Sequence, residues 1–413
     1  MLALWVLYHT IVNVGQHWWV YGFGWESQLL ETAFLAVFAV PLLSVRPFPP
    51  SCPPPPVIPL LYRWLGFRIM FGTWRAVSGG AGLIKIRGDK VWKDLTAMNY
   101  HYETQPLPNP ISYFLHQAPK WLHRFETAMN HFVELGASWL LLAPMRALAM
   151  LGGAMQACFQ LAIILSGNLS FLNYLTILPF IWCFDDRRGQ NTMTWMFPEA
   201  TRSIVAAAAY PAKLPSVARS GVSWFLIGVV ACLSTPVVRN MASKKQSMNR
   251  TFEPLRIVNT YGAFGSVSKI RPEIVIKGAS KYEGENTAWK EYEFRSKPGP
   301  LFRALPWVSP YHRRLDWCLW IAALGPRRFS AWFPRLLLKL IDNDRQVSSL
   351  LKTNPFLDDE PPKYIKADMY RYSFSKLGSE ERKKGQVWTR QLLGSYWGMT
   401  SREGLLDAIS LEG

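Results

Sequence analysis

The sequence predicts an α-helical multi-pass membrane domain followed by a β-rich, sandwich-like α+β domain. Three observations carry this. Long apolar runs dominate the chain up to about Val238, and several approach the ~20 residues that a membrane-spanning helix needs. Trp and Tyr gather at the ends of those runs, as at His17-Trp18-Trp19-Val20-Tyr21, where amphipathic rings settle at headgroup depth. Beyond about Phe252 the pattern changes: LRIVNTYG, EIVIKG, WKEYEFRSK and YIKADMYRYSF alternate apolar with polar residues and are rich in β-branched and aromatic ones. The transmembrane domain reads as 1–240, with a polar loop at 77–122, and the β-rich domain as 241–413.

In chain order, the expected spans are Leu2–Val20, Gln28–Val45, Val57–Ala76, Phe125–Leu142, Ala147–Ser166, Phe171–Phe184 and Trp224–Val237. Phe171–Phe184 is short, and reads as half-buried or re-entrant. Glu26 stands where a helix start favours a carboxylate, with a pore-facing role for Glu26 or Glu31 as the lesser reading. Pro47–Pro56 is a stiff extended connector that no helix can include. Asp185–Ser220 reads as a second polar loop. In the carboxyl region the alternating segments read as antiparallel strands, while Leu315–Ala323 and Phe333–Leu351 carry helical spacing. The second of these gathers Trp332, Leu336, Lys339 and Leu340 near one face. It is a surface helix on the sheet or one lying at the membrane interface, since both produce the same pattern.

Composition excludes several classes. The formal charge of +18 is spread along the 413 residues among interleaved acids, and no nucleic-acid motif appears, so anionic headgroups are the better match for the excess. The five cysteines (Cys52, Cys158, Cys183, Cys232 and Cys318) form no CxxC pair and read as small core residues, neither a disulfide frame nor a metal site. No GxSxG elbow or Ser–His–Asp arrangement is evident, so the chain does not read as a lipase. No catalytic residue, metal or cofactor is assigned.

The most distinctive segment is the polar, proline-bracketed block from Leu83 to Glu126, which lies between apolar runs. Its charges must sit at an interface, in a loop or against other helices. Within it Tyr100, His101, Tyr102 and Glu103 precede the alternating Pro106, Pro108 and Pro110, giving either a rigid loop or a docking surface for a partner. From its end onward, His123, Glu126, Asn130, His131 and Glu134 recur at three-to-four-residue spacing, one polar stripe on a helix. One reading is a metal or proton-transfer site; the preferred reading is a structural network that pins the helix to Arg63, Arg68 and Lys85, because no HExxH or other closed ligand pattern is present. Farther on, Asn259, Tyr261, Gly262 and Gly265 mark a tight turn, read as a hairpin or bulge. Two glycosylation sequons occur, at Asn168 beside a span end and at Asn249 beyond the last span.

GLIKIRGDKVWKDLTAMNYHYETQPLPNP followed by SYFLHQAPKWLHRFE closely resembles the lipase maturation factor family. The similarity continues through GFGWESQLLETAFLAVF, RWLGFRIMFG, SGNLSFLNYLTILP, RIVNTYGAFGSVSK, WKEYEFRSKPG, RRLDWCLWIAALG and PPKYIKADMYRYSF, and so covers nearly the whole chain. The resemblance implies a multi-pass protein of the endoplasmic reticulum membrane with a lumenal β-rich domain. It further implies a non-enzymatic folding factor whose clients are secreted homodimeric lipases, with lumenal chaperones as further partners and membrane lipid around it. Against the relatives, the chain reads as N-terminally short. Arg239, Lys244, Lys245 and Arg250 after the last span would place the carboxyl region in the cytosol by charge bias; the resemblance places it in the lumen, and a glycan at Asn249 would agree. The alternative function is an integral-membrane enzyme or a transporter using the His/Glu stripe.

Overall fold

The computed structural model describes residues 1–15, 24–39, 54–55, 57–72, 89–184, 216–243, 246–262, 264–325 and 332–412. Contacts divide the chain into two compact units: one gathers Met1–Ala97, Lys120–Ile163 and Leu172–Val267, the other Met98–Pro119, Ile164–Phe171 and Ser268–Gly413.

The first unit is helical. It contains α1 (Leu2–Gly15), α2 (Gly24–Ala39), α3 (Ile58–Gly72) and a short α4 (Lys90–Lys93). The second unit then takes α5 (Met98–Thr104) and α6 (Pro110–His116). The first unit resumes with α7 (Lys120–His131), α8 (Arg146–Ser166, whose last turn belongs to the second unit), α9 (Leu172–Ile181) and α10 (Ser216–Ala242). Two of these are long and apolar enough to cross a membrane: α8, and Ser220–Ala242 within α10. Phe125–Leu142 is not one continuous helix: α7 passes into a π-helical turn at Phe132–Gly136 and a 3-10 helix at Ala137–Leu142. Arg63 caps the end of this segment, donating from Nη2 to Ala143 O at 2.6 Å and from Nε to Leu141 O. Buried Leu35, Ile58, Leu65, Phe180, Leu226 and Val258 form its core.

Glycines on α8 set a close approach. A Cβ at Gly152 would stand 2.7 Å from Leu140 Cβ and 3.1 Å from its carbonyl carbon, and one at Gly153 would stand 2.7 Å from Cys183 Cβ. Small residues at these positions let the helix backbone lie directly against its neighbours, the usual device where lipid removes the hydrophobic drive between helices.

The second unit is a four-stranded antiparallel sheet in the order β2-β1-β5-β6, with a two-stranded β3–β4 ribbon. Its elements are β1 (Arg271–Ala279), β2 (Lys290–Glu291), β3 (Glu293–Phe294), α11 (Arg314–Leu324), α12 (Trp332–Ile341), α13 (Arg345–Ser348), β4 (Leu351–Thr353), β5 (Tyr364–Phe374), α14 (Glu380–Lys383), β6 (Trp388–Thr400) and α15 (Arg402–Glu412). On one sheet face Ile274, Ile276, Ile365 and Ala367 pack with Leu319 of α11, Leu337 and Leu340 of α12 and Leu405 of α15. The ribbon adds Phe294 and Leu351 to the same core. Burying a side chain such as Leu337 contributes about 1.5–3 kcal/mol. This decides between the two readings of α12: its apolar stripe lies on the sheet, with Lys339 on the outer side bonded to Asp344 at 2.9 Å. On the opposite face Val275, Tyr372, Phe374 and Trp388 receive Tyr113 of α6.

LRIVNTYG does not form a strand; its only ladder contact among the described residues is an isolated bridge between Thr251 and Asn259. β6, the longest strand, pairs with β5 through three register shifts, and Gly394 opposite Met369 has φ +148°, a conformation that only glycine adopts without strain.

Gly152→Leu is expected to lower the thermal unfolding midpoint of the detergent-solubilised protein, by overpacking worth about 1–3 kcal/mol. An unchanged midpoint would mean that α8 does not sit against Leu140.

Candidate functional site

Within the second unit the polar chemistry converges on Arg271. Along β1 the alternation of side chains puts Arg271, Glu273 and Val275 on one face, and both charged residues are fully buried. A guanidinium out of water needs acceptors for five N–H groups. Glu273 Oε1 accepts from Arg271 Nε at 2.9 Å and lies 2.7 Å from Nη2. The remaining donors go to main-chain carbonyls of the polar block: Glu103 O and Pro106 O at 2.8 Å each, and Gln105 O. The Trp388 ring lies under the cation, 5.6 Å from its carbon. Glu273 also holds Lys297, whose Nζ is 2.9 Å from Oε2 and donates to Ile274 O at 3.0 Å.

The prolines of the block explain why it can serve this way. Prolines at 106, 108 and 110 remove backbone donors and hold the chain extended, so its carbonyls are available to other partners. Leu107 O accepts from Asn168 N at 3.2 Å. Asn109 then caps α6, accepting from Ser112 N at 2.9 Å, with Pro110 at the first helical position. Tyr102, Pro106 and Pro108 are buried, while Tyr100 and His101 are partly exposed. Glu103 accepts from Phe374 N at 2.9 Å and stands 3.4 Å from His116 Nε2; burial pushes its carboxyl up, against the opposing pull of that hydrogen bond and of Arg271.

Asn168 is a second clamp. It is 1% exposed; its Oδ1 accepts from Val308 N (2.8 Å) and Ser309 N (3.1 Å), and its Nδ2 donates to Pro306 O (2.8 Å). This sequon is inaccessible in the folded chain. Asn249 is exposed, but its side chain clasps Gly262, donating to O and accepting from N at 3.0 Å.

Within the first unit the focus is Glu31, paired with Arg68 through Arg68 Nη2. Both are buried. Arg68 Nη1 donates to Asn259 O at 2.9 Å, Asn259 N donates to Glu31 Oε2 at 3.2 Å, and the Tyr261 hydroxyl donates to the same oxygen. The turn at Asn259–Gly262 is thereby fastened to α2 and α3. Gly265 is buried in the same stretch, beside Phe264, whose carbonyl accepts from Trp92 Nε1 at 3.1 Å.

The stripe on α7 faces inward. His123, Asn130 and Glu134 are buried, Glu126 and His131 partly so, and His131 Nε2 is 3.1 Å from Trp92 O. The opposite face is open and largely apolar: Trp121 is 69% exposed, with Phe125, Met129 and Phe132 following it and Arg124 exposed among them. An outward apolar and inward polar face is the arrangement that a lipid surround favours. Arg63 and Arg68 bond to main-chain carbonyls and Glu31; Lys85 lies outside the described residues. Among the described residues no group of three or more His, Cys, Asp or Glu is placed to hold a metal, and Cys158, Cys183, Cys232 and Cys318 are free.

Sequence reasoning missed Arg271, Glu273, Lys297 and the Asn168 side chain. A signal existed for the first two: RPEIVIKG carries opposite charges two residues apart on a strand with an apolar centre, which places both on one face. Nothing in sequence marks Asn168 as a clamp, since Val308 and Ser309 lie some 140 residues away.

The family model described as lipase maturation factor transmembrane domain matches residues 1–191, and the one described as lipase maturation factor C-terminal domain matches residues 257–398. Lipase maturation factor 1 of Bos taurus is 46% identical over 98% of this chain and 72% of its own length. The Homo sapiens protein of the same name is 43% identical over 98% of this chain and 71% of its length. Lipase maturation factor 2 of Mus musculus is 29% identical over 100% of this chain and 71% of its length. No solved structure matches.

Arg271→Met is expected to destabilise the protein by about 3–5 kcal/mol, because it leaves carbonyls and part of Glu273 buried without partners. Lys383→Met, which removes an exposed ion pair with Glu380, should cost about 1 kcal/mol or less. Equal shifts in unfolding midpoint would refute the central role of Arg271. A pH dependence follows from His312, whose imidazole is pushed down to about 4 by burial and by Arg314. Its stabilising contribution is full above the ordinary 6.5 and is lost as pH falls toward about 4. His312→Gln should therefore flatten the fall of the midpoint over that range. Buried Glu103 and Asp316, both raised, act in the opposite direction but equally in both proteins.

Proposed function

Because this chain belongs to the lipase maturation factor family, we propose that it is a multi-pass membrane protein of the endoplasmic reticulum that assists the folding and dimer assembly of secreted lipases, without catalysis of its own. The observation that carries this is the 46% identity to a protein named for lipase maturation, sustained over 98% of the chain. The β-rich domain faces the lumen and receives the client. Half-assembled lipase dimers expose apolar interfaces that aggregate at cellular concentrations, and a membrane-fixed factor that holds such chains would limit that loss. Homodimeric lipases are the clients, with lumenal chaperones as partners. The buried ion pairs support a scaffold, since Glu31 is bound by Arg68 and Asn259 N, and Glu273 by Arg271 and Lys297, all within the same unit in each case.

A second reading, a membrane enzyme or transporter, is favoured by one observation: His123 and Asn130 of α7 and Glu134 of the π-helical turn after it are buried, while the other side exposes Trp121, Phe125, Met129 and Phe132.

Expression of this chain in cells lacking their own maturation factor, beside a homodimeric secreted lipase, tests the reading. Secreted activity per unit lipase mass is expected to rise, and a chain cut before Tyr261 to give none. A stably expressed chain that restores nothing would overturn the proposal. The double variant His123→Gln/His131→Gln separates the two readings: rescue at normal protein level supports the scaffold, and lost rescue at normal level supports the site.

A further inference from the structure

The segment from Gly299 to Arg314 is held from below and aromatic on its outer side. Asn168 fixes the main chain at Pro306, Val308 and Ser309, and Ser309 Oγ donates to Ser170 O at 2.8 Å. Val308 is buried and Leu305 packs inward, so the residue between the clamped positions points out: Trp307 is 55% exposed. A turn closed by Tyr311 N to Val308 O at 2.9 Å then presents Tyr311, 73% exposed, followed by exposed Arg313 and Arg314. Large aromatic rings on a rigid, solvent-facing turn are costly to leave in water.

The anchor of this turn is the end of a span. The last residues of α8 belong to the same unit and are capped there, with Leu165 O accepting from Asn109 Nδ2 at 2.9 Å and Ser166 O from Gln105 Nε2 at 3.0 Å. Asn168 follows two residues later, within ~7 Å of chain. The headgroup layer beyond the hydrocarbon core is about 5–8 Å deep on each side. If α8 crosses the membrane, as the family reading holds, Trp307 and Tyr311 are tethered at headgroup depth.

We propose that this turn is a membrane-surface contact: Trp307 and Tyr311 enter the interfacial layer, and Arg313 and Arg314 lie against lipid phosphates. Aromatic rings and arginines at this depth are matched to it by their mixed apolar and polar character. The inference rests on α8 being a span and goes beyond the client-folding role.

The test places a benzophenone amino acid singly at Trp307, Tyr311, Leu161 or Leu392 of the full chain, reconstituted into vesicles of phosphatidylcholine and phosphatidylserine. Leu161 lies exposed on α8 and Leu392 exposed on β6. After irradiation, lipid-mass adducts are expected at 307, 311 and 161 and none at 392. Adducts at 161 without adducts at 307 and 311 overturn the surface contact alone. No adduct at 161 overturns the span, and the contact with it. Adducts of 307 and 311 to co-purifying polypeptide in place of lipid also overturn it.

Discussion

A buried guanidinium is the constraint around which the second unit is organised. Arg271 is inaccessible to water, and a cation in that position persists only where acceptors converge on it. Glu273 supplies charge, and the carbonyls of Glu103, Gln105 and Pro106 supply geometry. The pairing therefore fixes the polar block against β1, although the two are separated by more than 160 residues in sequence. Once Pro106 is so placed, Asn109 starts α6, and Tyr113 and Phe374 meet edge to face at 5.2 Å. An ion pair of this kind contributes little net energy over an apolar replacement; what it supplies is a single allowed arrangement.

The helical unit repeats the device with other residues. Glu31 and Arg68 are buried together, and the turn at Asn259–Tyr261 completes their hydrogen bonding. In each unit the main chain of a segment distant in sequence satisfies a buried charge. Such coupling makes the segment and the helix or strand it serves fold as one cooperative piece. Under the proposed client-holding role, such rigidity means that binding orders the client and not the scaffold.

α7 divides into two unlike sides: Trp121, Phe125 and Met129 are exposed, while His123, Thr127 and Asn130 are buried. Gly152 and Gly153 on α8 bring backbones close, which strengthens dispersion between neighbouring elements.

By itself, the sequence determined the order of a helical region and a β-rich one, the strand β5, the helix at Leu315–Ala323 and the family, because periodicity and long identical runs are local properties. It also marked Asn259 and Tyr261 as a turn and the α7 stripe as one face. Only the tertiary structure decided that LRIVNTYG is no strand, that Phe125–Leu142 breaks at a π-helical turn and that α12 lies on the sheet. The same holds for Arg271 and Asn168, whose roles depend on carbonyls and amides at distant positions. Backbone groups are the same in every residue, so a side chain that is satisfied by main chain leaves no partner to be read in the sequence.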